Sequence, residues 1–392
     1  MSQATPPDAS ATLHVREGLR SRDRHAVIAA VIVTLCLLGD AMLYLVLPAN
    51  AEVFGLSAFW VGVALSVNRF IRLLLNQPVA LVVQRFGLRA AMAGAVILSV
   101  LSTGAYGLVW GAAAFVAARV AWGAAFATMR LTSLGYATVD KSRSASRLGW
   151  IAGIKAVGPA CALLLAGWAV ATFGARELFV VLAALTVLGL PLVLTLPRPR
   201  AAAPVEPPRL RFQTPSATES IVFAVAFLVD GVLMAGVVLL LMGQGLEVAA
   251  AIQVGGVLLA GRYLSAILVG PAVGWTAQRW GFSAPFLALN AALVAGALLL
   301  GAGQVLWGAA VLIVFSSGLQ ALAPGIVAAR NPGTEMVSLS FTATWRDLGA
   351  AVGAAAGPLI AVMPAAHSAT FFGLSSGVLL GLLGWRALEE KV

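Results

Sequence analysis

Long apolar blocks separated by short polar breaks run the length of this chain. They give twelve candidate helices, at residues 26–48, 57–83, 90–110, 112–137, 148–170, 177–196, 220–243, 248–273, 284–303, 305–329, 338–362 and 369–388, numbered 1 to 12 in that order. A membrane helix needs about 20 apolar residues to cross roughly 30 Å of hydrocarbon, and each block supplies them. Membrane β-strands are about 10 residues long and alternate in polarity, so a barrel does not fit. The pattern predicts an all-α membrane protein with twelve transmembrane helices. The longest internal polar segment, Pro197 to Ser220, holds five further prolines and four arginines. It reads as a linker between two six-helix halves. The expected organisation is a tail at 1–25, an N-terminal bundle at 26–196, a linker at 197–219, a C-terminal bundle at 220–388 and a short tail at 389–392.

Composition agrees. The 392 residues are 60% hydrophobic and only 10% charged, with a mean hydropathy of +0.96. A soluble domain carries about 25% charged residues, so this chain has too little polar surface for a water-soluble enzyme. The net charge of +10 would suggest nucleic acid in a soluble protein. Placed on the helices, it becomes a topology signal. The terminal side holds 18 of the 25 basic residues, among them Arg85, Arg89, Lys141, Arg279, Arg330 and Arg346, and the opposite loops hold only Arg176. The positive-inside rule then puts both termini in the cytoplasm, here of a bacterial-type inner membrane, and a nucleic-acid partner becomes unnecessary. The polar stretch 1–25 lacks the pattern of a cleaved signal and reads as an unstructured cytoplasmic tail. Cys36 and Cys161 fall in apolar spans and read as buried small side chains. No Walker loop, metal-ligand spacing or nucleophile constellation is present, which argues against a pump or membrane enzyme and gives no reason to expect a cofactor or metal. Nothing in the sequence demands an oligomer, so a monomer is expected.

Six basic residues (Arg69, Arg72, Arg119, Arg130, Lys155 and Arg262) and two acids (Asp40 and Asp230) remain inside the spans. Unpaired charge in hydrocarbon costs at least about 2.5 kcal/mol, so these need a functional account. Asp40 lies eight residues before Pro48, and Arg119 eight after Gly111. At 1.5 Å per residue both sit about 12 Å below the outer boundary, which permits an ion pair. That pair is either a static link between helices 1 and 4 or a proton site. Asn68, Arg72 and Asn76 fall at i, i+4 and i+8, with Arg69 beside them. Such a polar stripe on an apolar helix should face a cavity. Arg130 is close enough to the helix end to snorkel. Without it, five cations face two acids, and a positive cavity favours a carboxylate or phosphate substrate. The alternative is that some arginines pair with helix carbonyls or with Asp230, leaving the cavity near neutral. Trp60, Trp110, Trp168 and Trp307 read as interfacial anchors; Trp122 and Tyr44 are weaker substrate-contact candidates.

The two halves repeat. Asp40 matches Asp230, each midway along the first helix of its half. Arg69 matches Arg262 in the second helices, followed by Gln84-Arg85-Phe86-Gly87 and Gln278-Arg279-Trp280-Gly281. Gly158-Pro159 matches Gly357-Pro358 in the fifth helices. With these motifs the sequence resembles the major facilitator superfamily over nearly all of the chain after residue 25. That family's G-x-x-x-D-R-x-G-R-R loop appears at Ala80 to Arg89 with Arg85, Gly87 and Arg89 kept and Gln84 in place of the Asp. The repeat at Gly274 to Ser283 keeps Gly274, Arg279 and Gly281, again with Gln278 for Asp. R-x-x-Q-G appears as Arg119 to Gly123 with Trp122 for Gln, and the antiporter motif G-x-x-x-G-P is approximated at Gly153 to Pro159. The resemblance implies two pseudo-symmetric six-helix bundles, alternating access, gating at both loop motifs and at the Gly-Pro pairs, and proton coupling through Asp40, Arg119 and Asp230. Asn68, Arg69, Arg72, Asn76, Lys155 and Arg262 are the candidates for substrate binding. Proton-coupled efflux of a small organic anion is the expected function, with anion uptake or exchange as the alternative. A non-transporting receptor or assembly protein on the same fold is the remaining class.

Overall fold

The computed structural model describes residues 9–109, 111–138, 144–198, 214–330 and 335–389. Most of the linker, the side chain of Asn76 and Trp110 lie outside the described residues. Helix 1 is Ala9–Ala49, and helices 2 and 3 are the two arms of Ala58–Leu108, broken at Gly87. Helix 4 is Ala112–Thr138, helix 5 is Ser144–Leu164 with Ala166–Phe173, and helix 6 is Glu177–Val187 with Gly189–Leu194. Helices 7 to 10 are Ala217–Gly243, Val248–Trp280, Ser283–Gly301 and Val305–Arg330. Helices 11 and 12 are Glu335–Ala361 and Ala365–Glu389. Among the described residues, ten helices are long and apolar enough to cross a membrane alone, and helix 5 does so as a bent pair. Helix 11, with 27 residues, spans about 40 Å, and carries Arg346 and Asp347 near its middle.

Three expectations change. Helix 1 reaches back to Ala9, so most of the stretch read as an unstructured tail is helical. Its Ala, Leu, Glu and Arg are good helix formers, and Pro6 and Pro7 lie just upstream. Cys161 is exposed on the outside of helix 5, whereas Cys36 is buried as expected. Helix 5 bends by 56° at Leu165, six residues beyond Pro159. Gln253 of helix 8 caps that break: its Nε2 donates to the Leu164 carbonyl at 2.8 Å, and its Oε1 accepts from the Gly167 N–H at 3.2 Å. Backbone groups freed inside a membrane need a partner, and here the other half supplies it.

The two bundles come closest at the end away from the chain termini, the distal face. A Cβ on Gly62 of helix 2 would lie 2.1 Å from the carbonyl oxygen of Ala355 in helix 11. One on Gly256 of helix 8 would lie 2.1 Å from that of Leu163 in helix 5. Gly62 and Gly256 lie at nearly corresponding places in helices 2 and 8, but their partners do not correspond: Ala355 precedes the Gly-Pro pair of helix 11 and Leu163 follows that of helix 5. Only glycine permits such backbone approach. At the terminal face, Ser216 and Glu219 cap helix 7. Thr218 Oγ1 accepts from Arg330 at 3.2 Å and from Arg386 at 3.1 Å. Helices 7, 10 and 12 are thereby tied together within the C-terminal half.

Candidate functional site

Between the halves, helices 1, 2, 4, 7, 8, 10 and 11 bring the interior charges together. The ion pair inferred from equal depth is present: Arg119 Nη1 lies 2.5 Å from Asp40 Oδ1. Arg119 also donates through Nε to the Ala64 carbonyl at 2.9 Å and through Nη1 to the Tyr106 hydroxyl at 3.2 Å. Tyr106 is itself bonded to Ser102, so the guanidinium is held from helices 1, 2 and 3. Its side chain is wholly buried, while that of Asp40 is 19% exposed.

The pair in the other half is built differently. Asp230 sits within a π-helical turn, Ala226–Leu233, in the middle of helix 7. Such turns insert one extra residue and often mark functional positions. The backbone of Gly353 in helix 11 presses against Gly231, within 2.5 Å of where a Cβ would be. Asp230 Oδ1 accepts from Arg262 Nη2 at 2.9 Å. Gln320 of helix 10 approaches both carboxylate oxygens more loosely, at 3.5 and 3.4 Å. Here the acid is the sealed partner, 8% exposed, and the arginine is 29% exposed. A cavity of about 100 Å³ adjoins it, lined by Asp230, Gln320, Thr342 and Arg346 among apolar side chains.

The repeat-related arginines converge. Arg69 Nη2 and Arg262 Nη1 each lie 3.7 Å from the sulfur of Met234, reaching it from opposite halves. Arg69 is buried, lies over the Tyr44 ring at 5.6 Å, and has an Nη1 with no hydrogen-bond partner among the described residues. Two more orphaned polar atoms continue the stripe on helix 2, Asn68 Oδ1 and Arg72 Nε. Arg72 stacks over Phe126 at 4.9 Å. Orphaned buried groups are costly and uncommon in native structures. Ser99 Oγ, Thr103 Oγ1, Arg119 Nη2 and Asn290 Oδ1 also lack partners among the described residues, so three of the seven such atoms lie on helix 2. Lys155 of helix 5 is half-buried, and Arg130 is exposed as its position near the helix end suggested.

Charge reasoning missed two groups. Arg346 and Asp347 lie inside helix 11 and pair at 3.1 Å; Arg346 had been counted with the terminal-side loops. Gln320 carries no charge and so escaped a search for charges. With three acids each paired to an arginine, Arg69, Arg72 and Lys155 have no acid within ion-pair distance among the described residues. Trp122 is buried in an apolar cluster with Ile32 and Met92, its ring 6.2 Å from that of Phe126, over which Arg72 stacks. Tyr44 stays beside the site, its hydroxyl donating to the Leu65 carbonyl at 3.3 Å.

The loop motifs lie apart from this centre. Gln84, Arg85, Gln278 and Arg279 are exposed, and Arg89 is half-buried. Gly87 (φ 81°) and Gly281 (φ 75°) turn the chain where helices 2 and 8 end. The Gly-Pro pairs pack within each half. Gly158 abuts Thr34 of helix 1, whose hydroxyl donates to the Ile154 carbonyl at 2.8 Å. Gly357 abuts Val232 of helix 7.

The family model of the Major Facilitator Superfamily matches residues 29–354. This chain belongs to the Major Facilitator Superfamily. It is therefore a multi-pass integral membrane protein and a secondary transporter of small molecules. No curated protein matches it significantly. Among solved structures it is similar to the nucleoside transporter NupG, at 13% identity and a TM-score of 0.72, covering 93% of this chain and 98% of that one. A bacterial homologue of the human lysosomal transporter Spinster, inward-facing and occupied, matches at 16% identity and a TM-score of 0.72, over 93% and 96% of the two chains. A D-xylose–proton symporter matches at 13% and 0.69, over 94% and 97%. At these identities the likeness is one of fold.

Proposed function

We propose that the chain is a proton-coupled transporter of a small organic anion, a monomer working by alternating access in a bacterial-type inner membrane. The observation that carries this reading is Arg69, buried with an unsatisfied Nη1 and facing Arg262 of the other half across Met234. A carboxylate or phosphate between them would accept charge-assisted hydrogen bonds from both arginines. It would also draw the two halves together around the substrate. The unpaired cations Arg72 and Lys155 bias the approach toward anions.

With both termini in the cytoplasm, the Gly62 and Gly256 contacts lie on the outer side and this state opens inward. The Gly-Pro motif of helix 5 speaks for export. Uptake is favoured by a different observation: the exposed partner in the C-terminal pair is Arg262, which an anion can reach.

Thermal-shift measurement of the purified protein tests the substrate class. Succinate, pyruvate and glucose 6-phosphate should raise the melting temperature, and Arg69→Gln should remove that stabilisation. A ligand at about 100 times its Kd adds roughly 2.7 kcal/mol, enough to read as a clear shift. Stabilisation by tetraphenylphosphonium alone would refute the anion reading. Right-side-out and inverted vesicles with an imposed proton gradient then separate uptake from export.

A further inference from the structure

We infer that an anion and a proton bind together, because the anion, seated between Arg69 and Arg262, takes Arg262 from Asp230 and the freed carboxylate takes the proton. The inference rests on the anion reading above and adds the sign of its coupling.

Arg262 has two faces in use. Nη2 holds Asp230 at 2.9 Å, and Nη1 rests against the Met234 sulfur, a weak acceptor, opposite Arg69. An anion seated between the two arginines is a far stronger acceptor than the thioether and competes with Asp230 for the same guanidinium. Asp230 is nearly sealed from solvent, and a buried carboxylate stripped of its cation is costly. Gln320 Nε2, at 3.4 and 3.5 Å, is too distant to compensate for a lost guanidinium. Gln320 does carry a carbonyl oxygen on the same amide. After a flip, that oxygen accepts from the protonated acid, and the adjoining cavity of about 100 Å³ gives the acid room to turn. The π turn places Asp230 between its two partners, and the Gly231–Gly353 contact holds the turn in place.

Other charged groups face Asp230 from each neighbouring helix. Helix 8 presents Arg262, helix 11 Arg346 beside Asp347, and helix 2 Arg69 through Met234. Helix 1 presents Tyr44 and Asp40, with Asp40 held by Arg119. The end of helix 12 reaches only the start of helix 7, where Arg386 binds Thr218 and Glu389 binds the Ala217 N–H. Arg346 is engaged by Asp347, so Arg262 is the cation in direct contact with Asp230. In the exchange a proton from water joins a carboxylate oxygen of Asp230. The guanidinium keeps its own protons and changes partner, and no other bond is made or broken. Each ligand then strengthens binding of the other by the same factor, about 5–150-fold for couplings of ordinary size. Coupling of this sign moves anion and proton in one direction, whereas export against a proton gradient requires the two to exclude each other.

Proton exchange on binding decides this. Full-length protein in weakly buffered detergent solution is mixed with succinate or pyruvate at about pH 7.5, where both acids are ionised, and a pH indicator reads the change. Uptake of about one proton per anion bound is expected. Asp230→Asn should bind the anion with no proton uptake and with an affinity that no longer falls as pH rises. Asp40→Asn should leave the uptake intact. Anion binding with proton release, with no proton change, or with uptake that survives Asp230→Asn overturns the inference while leaving the anion reading standing. Failure of both anions to bind overturns the reading and this inference with it.

Discussion

In the N-terminal half, Asp40 binds an arginine that is wholly buried and tied to Ala64, Tyr106 and, through Tyr106, Ser102. In the C-terminal half, the repeat-related Asp230 binds an arginine that stays partly exposed and whose other contact is a thioether. The same acid thus serves two constructions. Around Arg119 the protein buries the cation, holding it through Nε and Nη1 while Nη2 has no hydrogen-bond partner among the described residues, and leaves the acid reachable, so the pair links helices 1 and 4. Around Arg262 it seals the acid and leaves the cation reachable, so the pair yields to an anion. A transporter that rocks about its centre needs one part that holds its shape and another that exchanges partners, and the two pairs divide along that line.

The comparison is broken most severely at Arg119. Removing one member of a buried ion pair costs about 3–5 kcal/mol. Arg119→Leu should lower thermal stability sharply and reduce the yield of folded protein. Arg262→Gln strips the sealed Asp230 of its cation and should also lower the melting temperature, by less than Arg119→Leu, while abolishing anion stabilisation. Equal losses of stability from the two substitutions would erase the distinction. Adding Asp230→Asn to Arg262→Gln should recover part of whatever stability is lost, since contacting charges couple by about 0.5–3 kcal/mol. The double variant should still fail to bind anion.

The distal contact is the next largest effect, and it joins the two halves where each ion pair lies within one half. A methyl at Gly62 or Gly256 collides with a carbonyl oxygen across the halves. Overpacking of this kind costs about 1–3 kcal/mol, and here only the state with the distal face closed bears it. Gly62→Ala and Gly256→Ala should each shift the population toward the distally open state by about 5–150-fold. Cysteines introduced next to Asn50 or Ser57, at the mouth of the distal cavity of about 480 Å³, should label faster in both variants. Unchanged labelling would mean that the contact does not hold that face shut.

Much of this site was legible in the sequence. The spans follow from apolar length, the Asp40–Arg119 pair from equal depth, and the Arg69–Arg262 correspondence from the internal repeat. What escaped depends on tertiary contact or on uncharged groups. The π turn at Asp230 accompanies the approach of Gly353 to Gly231, which no local pattern encodes. Gln320 is neutral. Arg346 and Asp347 fall inside the expected span 338–362, but Arg346 was counted with the terminal-side charges. Gly62 and Gly256 are 194 residues apart, one more than the 193 that aligns the arginines, so the repeat did not single them out. The break in helix 5 falls at Leu165, six residues past the Gly-Pro pair that the resemblance marked for gating, where Gln253 from the opposite half binds the freed backbone groups.

That break gives the smallest predicted effect and a fine test of how the halves divide their work. Gln253→Leu removes two hydrogen bonds to the helix 5 backbone, each worth about 0.5–1.5 kcal/mol net. It also leaves the Leu164 carbonyl and the Gly167 N–H without their partner from helix 8. Both bonds cross between the halves and exist only while helices 5 and 8 touch at the distal face. Their loss should therefore act on the equilibrium between states more than on folding. The variant should melt within a few degrees of wild type and label faster at distal cysteines, by less than Gly256→Ala. It should keep proton uptake on anion binding, because the hydrogen bonds of Gln253 run to Leu164 and Gly167 and not to Asp230 or Arg262. Loss of that uptake in Gln253→Leu would show that the seal and the exchange are not separate parts of the machine.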